Sequence, residues 1–213
     1  MTEVMGLRER KKLETARRIV RTAIALFVER GFDNVSVQEI ADAADVSKMT
    51  VFNYFGTKED LAFRPMEDHF GDAARAVRER KPDESPVDAV RRQFLELVET
   101  RDPSVGLANE VFVRQLRELV LGTPALRDRV FLAAQKGTRD LAAHLAEETG
   151  DLMLATIAAA MISAARNALI EEHWRRADAG DHVDTIVADA PERTARAFAL
   201  VEQGLGDYAR KAQ

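Results

Sequence analysis

The 213-residue sequence contains no cysteine. That excludes disulfides, thiolate zinc sites, iron–sulfur clusters and cysteine nucleophiles together. Glycine and proline are scarce, at 11 and 6 residues, which argues against a turn-rich all-β fold and against collagen. The four histidines (His69, His144, His173, His182) are scattered. None has a Glu three residues before it, so the Glu-x-x-His pattern of helical di-iron sites is missing. No long hydrophobic run occurs. The longest nearly apolar stretch, Leu152–Ala165, is interrupted by Thr156 and Ser163 and falls short of the ~18 residues of a spanning helix. It reads as a buried helix. The opening MTEVMGLRERKK has no apolar segment of the signal-peptide kind. These absences lead us to expect a cytoplasmic protein with no membrane partner, no metal, no cofactor and no catalytic residue.

What is present is helical pattern and an uneven distribution of charge. The formal net charge is −5. Yet residues 1–21 carry Arg8, Arg10, Lys11, Lys12, Arg17, Arg18 and Arg21 against only Glu3, Glu9 and Glu14. A basic arm on an acidic body suits local phosphate contacts, although charge alone fits a solvated helix face equally well. Leu13, Ala16, Val20, Ala23 and Phe27 recur at steps of three and four, the stripe of an amphipathic helix from about Arg8 to Arg30. Gly31 ends it. Ser36-Val-Gln-Glu39 is a capping box opening a two-turn helix through Ala44. Ser47 caps another through Phe55, and Thr57-Lys-Glu-Asp60 opens a long fourth helix.

Further on, Ser85-Pro86 and Thr123-Pro124 are cap-plus-proline starts. Helices follow from about 86 to 99, 109 to 121, 124 to 148 and 152 to 177, and Pro191 is expected to begin a last one reaching about Arg210. The fold class is therefore all-α, with about nine main helices: a small three-helix head in residues 1–60 and a larger helical domain in residues 61–213.

Two short helices joined by a tight turn make a helix-turn-helix, whose second helix can enter the ~12 Å major groove of B-DNA. Val51 and Phe55 share the inward side with Ile40 and Ala41. Lys48, Met49, Thr50, Phe52 and Tyr54 are left on the outside or flanks.

Residues 12–65 resemble the DNA-binding domain of the TetR family of transcriptional repressors. The matching string is Ala23, Leu26-Phe27, Arg30-Gly31-Phe32-Asp33, then Ser36-Val-Gln-Glu-Ile40-Ala41, then Val46-Ser47, Thr50-Val51-Phe52, Tyr54-Phe55, then Lys58-Glu59 and Leu61. The resemblance implies that Gln38, Lys48, Met49 and Thr50 touch bases, and that Ser36, Tyr54 and Lys58 grip phosphates. Ser47 and Phe52 belong to the same face. Asp45 stands where the family usually has Gly, at a position that tends to need φ > 0, and Asp tolerates that better than most residues. Phe52 lacks the hydroxyl common there, so its contact becomes apolar.

The resemblance also implies a homodimer on double-stranded DNA bearing a palindromic operator, nucleoid-associated in the cytoplasm, and a small-molecule effector. The proposed dimer seam is Ala155 and Ala159 with Thr194, Ala197, Val201, Gly204 and Tyr208. Pocket candidates are Phe63, Met66, Phe70, Phe94, Phe112, Phe131, Met161, Asn167 and Trp174. Asn167 is expected to be a buried amide in need of a partner. A mostly apolar effector with one or two polar groups follows. The competing readings are a helical DNA-binding or adaptor protein without an effector, and a helical-bundle enzyme. The enzyme lacks a convincing metal cluster or nucleophile–base pair.

Overall fold

The computed structural model describes residues 6–107 and 110–204. Among these it holds ten α-helices and two 3-10 turns, and no strand. The helices are α1 (Leu7–Arg30), α2 (Val37–Ala43), α3 (Lys48–Tyr54), α4 (Lys58–Glu67), α5 (Asp72–Arg78), α6 (Pro86–Glu99), α7 (Val111–Gly122), α8 (Pro124–Thr149), α9 (Leu152–Asp178) and α10 (Val183–Glu202).

The chain divides into two compact units. The first joins Met1–Glu67 to Glu110–Phe131, and the second joins Asp68–Asn109 to Leu132–Gln213. The division is not a single cut after residue 60. α4 stays with the head through Leu61, Ala62 and Phe63, all buried, and α7 contributes Leu116, Leu119 and Val120 to the same core. Two-turn helices cannot persist alone. Here α2 packs on α1, whose Ile19, Ala23, Ile24 and Phe27 are closed from solvent, and α3 packs on α2. The first three turns of α1 stand clear of that core, and Leu13 at the top of the expected stripe is 42% exposed.

In the second unit α10 packs on α6 and α9, and α5 on α6. Phe94, Leu141, Ile162, Ile186 and Phe198 form its centre. The loop after α6 makes a 3-10 turn at Pro103–Val105 and ends on Gly106, at φ 80°. A Cβ there would sit 2.8 Å from the Ile170 carbonyl oxygen. Only glycine lets this turn press onto α9.

Two expectations about helix limits are corrected. The fourth helix is not one long rod: α4 ends at Glu67, two residues after Pro65, and a 3-10 turn at Asp68–Gly71 precedes α5. Pro191 does not open the last helix but lies inside α10. That helix starts at His182, whose ring accepts from the Asp184 amide.

Candidate nucleic-acid interface

α2 and α3 form the helix-turn-helix. Between them Asp45 takes φ 51°, the left-handed value expected of the residue at that place. The turn is closed by the Val46 amide donating to the Ala41 carbonyl at 3.0 Å. Ile40, Ala41, Val51 and Phe55 are buried, as the spacing requires. On the opposite side Lys48, Met49, Phe52 and Asn53 are exposed, Met49 at 66% and Phe52 at 42%, while Thr50 and Tyr54 are half-buried.

The side chains named from the sequence sort into free and engaged groups. Gln38 is exposed on α2 and donates to Asp42 Oδ1 at 2.8 Å. Lys48 and Met49 project from the first turn of α3, where long, exposed side chains can reach base edges. Ser47 caps α3: its Oγ accepts from the Thr50 amide at 3.0 Å and lies 2.8 Å from Thr50 Oγ1.

Ser36 is spent more fully. Its Oγ accepts from the Glu39 amide at 3.2 Å and donates to Glu39 Oε2 at 2.8 Å, completing the capping box that the sequence shows. Glu39 is half-buried, and its carboxyl is held down at about 2. The Ser36 amide is the main cause, followed by the Ser36 hydroxyl and Arg30.

Lys58 departs from its expected role. Its ammonium donates to the carbonyls of Phe32, at 2.8 Å, and Val35, at 3.2 Å, and lies 4.4 Å from the centre of the Phe32 ring. A lysine with these partners fastens the loop between α1 and α2 to the start of α4. It is not a free phosphate ligand.

Sequence reasoning missed one pairing. Tyr54 opens onto a groove of about 660 Å³ that it shares with Arg8, Glu9, Lys11, Lys12 and Thr15 of α1, three basic residues against one acidic. The basic residues were visible as an arm, but their register against Tyr54 depends on how α1 crosses α3. Tyr54 and two lysines around one concavity can hold phosphate oxygens.

Residues 19–64 match the family model described as bacterial regulatory proteins, tetR family. The match covers the helix-turn-helix head, and the chain is similar there to tetR-family regulators. It is 30% identical over 122 residues to the HTH-type transcriptional regulator TcmR of Streptomyces glaucescens, a stretch covering 57% of this chain and 54% of that one. It is 31% identical over 86 residues to the HTH-type transcriptional repressor DhaR of Mycobacterium sp. (strain GP1), covering 39% and 43%. The chain thus spans about half the length of these curated relatives. The crystal structure of NalD, the secondary repressor of the MexAB-OprM multidrug efflux pump in Pseudomonas aeruginosa, superposes with a TM-score of 0.57 at 18% identity, covering 89% of this chain and 96% of NalD. That likeness concerns the fold.

The residues assigned to a TetR pocket fall into both units. Phe63, Met66, Phe112 and Phe131 lie in the first, and Phe70, Phe94, Met161, Asn167 and Trp174 in the second. Phe63 is buried with the Arg129 guanidinium over its ring, 4.4 Å from the centre. Phe94 is core, its ring 5.8 Å from that of His173. Phe131 is 61% exposed, and Asn167 is exposed as well. The buried polar residue in α9 is its neighbour Arg166, because α9 turns inward the stripe Ala155, Ala159, Ile162, Arg166, Leu169, His173 and Arg176.

The same stripe corrects the expected TetR seam. Ala155, Ala159 and Thr194 are 4%, 0% and 0% exposed inside their own unit. Ala197 and Val201 pack against that core, and Gly204 is half-buried. Tyr208 lies outside the described residues. What α9 turns outward is Leu152, Met153, Leu154 and Ile157, each between 49% and 66% exposed. Among the described residues no cluster of three His, Asp or Glu could hold a metal ion.

Proposed function

We propose that this chain is a DNA-binding transcriptional regulator, not an enzyme, that reads a palindromic operator as a homodimer and leaves it when a mostly apolar small molecule binds. The observation that carries the reading is the outward face of α3. Lys48 and Met49 are exposed in its first turn, Gln38 is exposed on α2, and the basic α1–Tyr54 groove lies on the same head. Base contacts from α3 specify, and phosphate contacts from α1 hold the register.

Dimerisation is supported by α9. Its most apolar 18-residue window has a mean hydropathy of 1.6 and is only 28% buried. By length and composition alone such a helix could cross a membrane. Arg166, His173 and Arg176 on its inward stripe make it a core helix instead. Its outer apolar face then needs a cover, and a second copy is the cover that a palindrome with half-sites ~34 Å apart calls for.

The test is a gel shift with genomic fragments flanking the chain's own gene, followed by footprinting. An inverted repeat protected at two half-sites supports the reading. Uniform binding to every fragment, or none, refutes it. A screen for small molecules that release the shifted band tests the effector.

A further inference from the structure

α9 places Arg166 at a core position, one turn from Ile162 and one from Leu169, and the residue is only 9% exposed. Desolvation pushes its pKa down, but an arginine does not deprotonate in a protein. The charge therefore persists and calls for an anion.

The nearest candidate is already occupied. Asp72, 2% exposed at the start of α5, accepts from Arg75 through Oδ1. Its Oδ2 faces His69 Nδ1 at 3.2 Å, and Arg166 Nη2 comes no closer to that oxygen than 3.4 Å. A charge-assisted bond runs to about 2.7–2.9 Å. Asp102 acts on Arg166 only through space, and its Oδ1 accepts from the Ser104 amide at 2.8 Å. The Ser104 hydroxyl and Arg166 Nε are both buried without a hydrogen-bond partner. Nε and Nη2 form one edge of the guanidinium, with two parallel N–H donors spaced to match the two oxygens of a carboxylate. On Arg166 that edge carries one long bond and one empty donor.

We propose that Arg166 binds a single carboxylate, on an otherwise apolar molecule, through its Nε–Nη2 edge. This rests on the reading that the chain answers to an effector, and names the effector's polar group. One negative charge fits. Asp72 and Asp102 stand by, and a phosphate dianion would set a second charge against both. The apolar remainder follows from Ile162 and Leu169, which flank Arg166 along the helix within the core of this unit.

The experiment uses the full chain and a panel of hexanoate, octanoate and benzoate, with the matching amides and inorganic phosphate as controls. Readouts are the melting temperature and the fluorescence of Trp174, the single tryptophan, on the same helix. At least one carboxylate should raise Tm by several degrees while its amide and phosphate do not. Arg166→Met should fold and lose the shift, and Arg166→Lys should keep a weaker one, since a point charge remains without the fork. Asp72→Asn, which removes the competing carboxylate, should bind the carboxylate several-fold more tightly, and this holds the proposal to account should Arg166→Met not fold. The proposal is overturned if Arg166→Met retains the shift, if amide or phosphate matches the carboxylate, if Asp72→Asn binds more weakly, or if no carboxylate shifts the parent chain. Gel shifts on the same samples separate the two readings. A carboxylate shift without operator binding refutes the regulator and leaves the site. Operator binding without a carboxylate shift does the reverse.

Discussion

Lys58 reaches back 26 residues to donate to the carbonyl of Phe32 while its ammonium lies over the same residue's ring. One side chain thus ties the loop before α2 to the first turn of α4. Hydrogen bonds involving a charged group contribute about 1.5–3 kcal/mol. Lys58→Ala should therefore lower the stability of the head by that order in a denaturant melt. It should weaken operator and random DNA alike, through a looser head. A phosphate ligand would behave differently, because its loss reduces the slope of log affinity against log salt by about one. We expect the slope to stay unchanged.

Lys48 and Met49 carry the opposite expectation. Neither has a place in the core of the head. Lys48→Ala should leave the unfolding free energy within about 0.5 kcal/mol of the parent. It should cost about 1–3 kcal/mol on the specific operator, the range for a good base contact. Random DNA should lose less. Competition gel shifts give both numbers, and equal losses on the two DNAs would remove Lys48 from base readout.

The dimer face can be separated from the core by a pair of substitutions. Ile157 is 49% exposed on the outward side of α9, whereas Val201 packs against its own unit. Ile157→Glu should split the dimer, since a charge stranded in an apolar interface costs about 3 kcal/mol, roughly a hundredfold in the dissociation constant. The monomer should remain folded. Val201→Asp should instead lower Tm steeply. Sedimentation and melting curves distinguish the two. A dimer that survives Ile157→Glu places the interface elsewhere.

The head was legible because its signals are local. Ser36 and Glu39, Ser47, and Thr57 with Asp60 each write a helix start within four residues, and all three pairs of bonds are present. Asp45 announced a left-handed turn by its type and place. The second unit was harder to read because its assignments depend on rotation about a helix axis. α9 is apolar nearly all round, so the pattern does not say which side faces in. A difference of one residue, 100° on a helix, separates the expected buried Asn167 from the observed buried Arg166. Packing against α6, α10 and the turn at Pro103–Val105 fixes the phase. The role of Lys58 was hidden for a similar reason: the carbonyls it meets lie over twenty residues away. Pro191 misled because proline is as often a start signal as an interior residue that neighbours tolerate.

His173 supplies a pH dependence. It is fully buried in α9, with Nδ1 2.7 Å from the Val105 carbonyl oxygen. Burial, more than anything else, lowers its pKa below the usual 6.5, the Val105 carbonyl opposing and Arg176 assisting. The unfolded chain therefore takes up a proton first. Stability from the neutral ring is complete above about pH 6.5 and falls as pH drops from there toward the depressed folded value. His69 works the other way. Its pKa is raised mainly by the hydrogen bond to Asp72, so its contribution is complete below about 6.5 and fades as pH climbs through the raised value. Denaturant melts between pH 5 and 8 should show the acid-side loss shrink in His173→Gln and the alkaline-side loss shrink in His69→Gln. An unchanged acid limb in His173→Gln would show that the imidazole is not the group responsible.

Gly137 in α8 tests how tightly the segment after α4 is held. A Cβ at this position would run into the carbonyl oxygen of Phe70, with the carbonyl carbon only 3.0 Å away. Phe70 sits in the 3-10 turn just before Asp72. Two effects compete in Gly137→Ala. Alanine favours an interior helix position by about 1 kcal/mol over glycine. Against this stands a clash with backbone, which cannot swing aside as a side-chain tip can. Either the turn or α8 must move, and the turn is fixed two residues on by the buried carboxylate of Asp72 among Arg75, His69 and Arg166. The clash should win. Gly137→Ala should lower Tm and loosen the Asp72–Arg166 contact, so that hydrogen exchange speeds up at the first amides of α5 while the amides of α2 and α3 keep their protection. Gly122, at the end of α7, meets nothing within 4 Å of an added Cβ and serves as the control: Gly122→Ala should be neutral or mildly stabilising. If Gly137→Ala is as stable as Gly122→Ala, the turn is free to shift and the bracing of residues 68–72 is wrong.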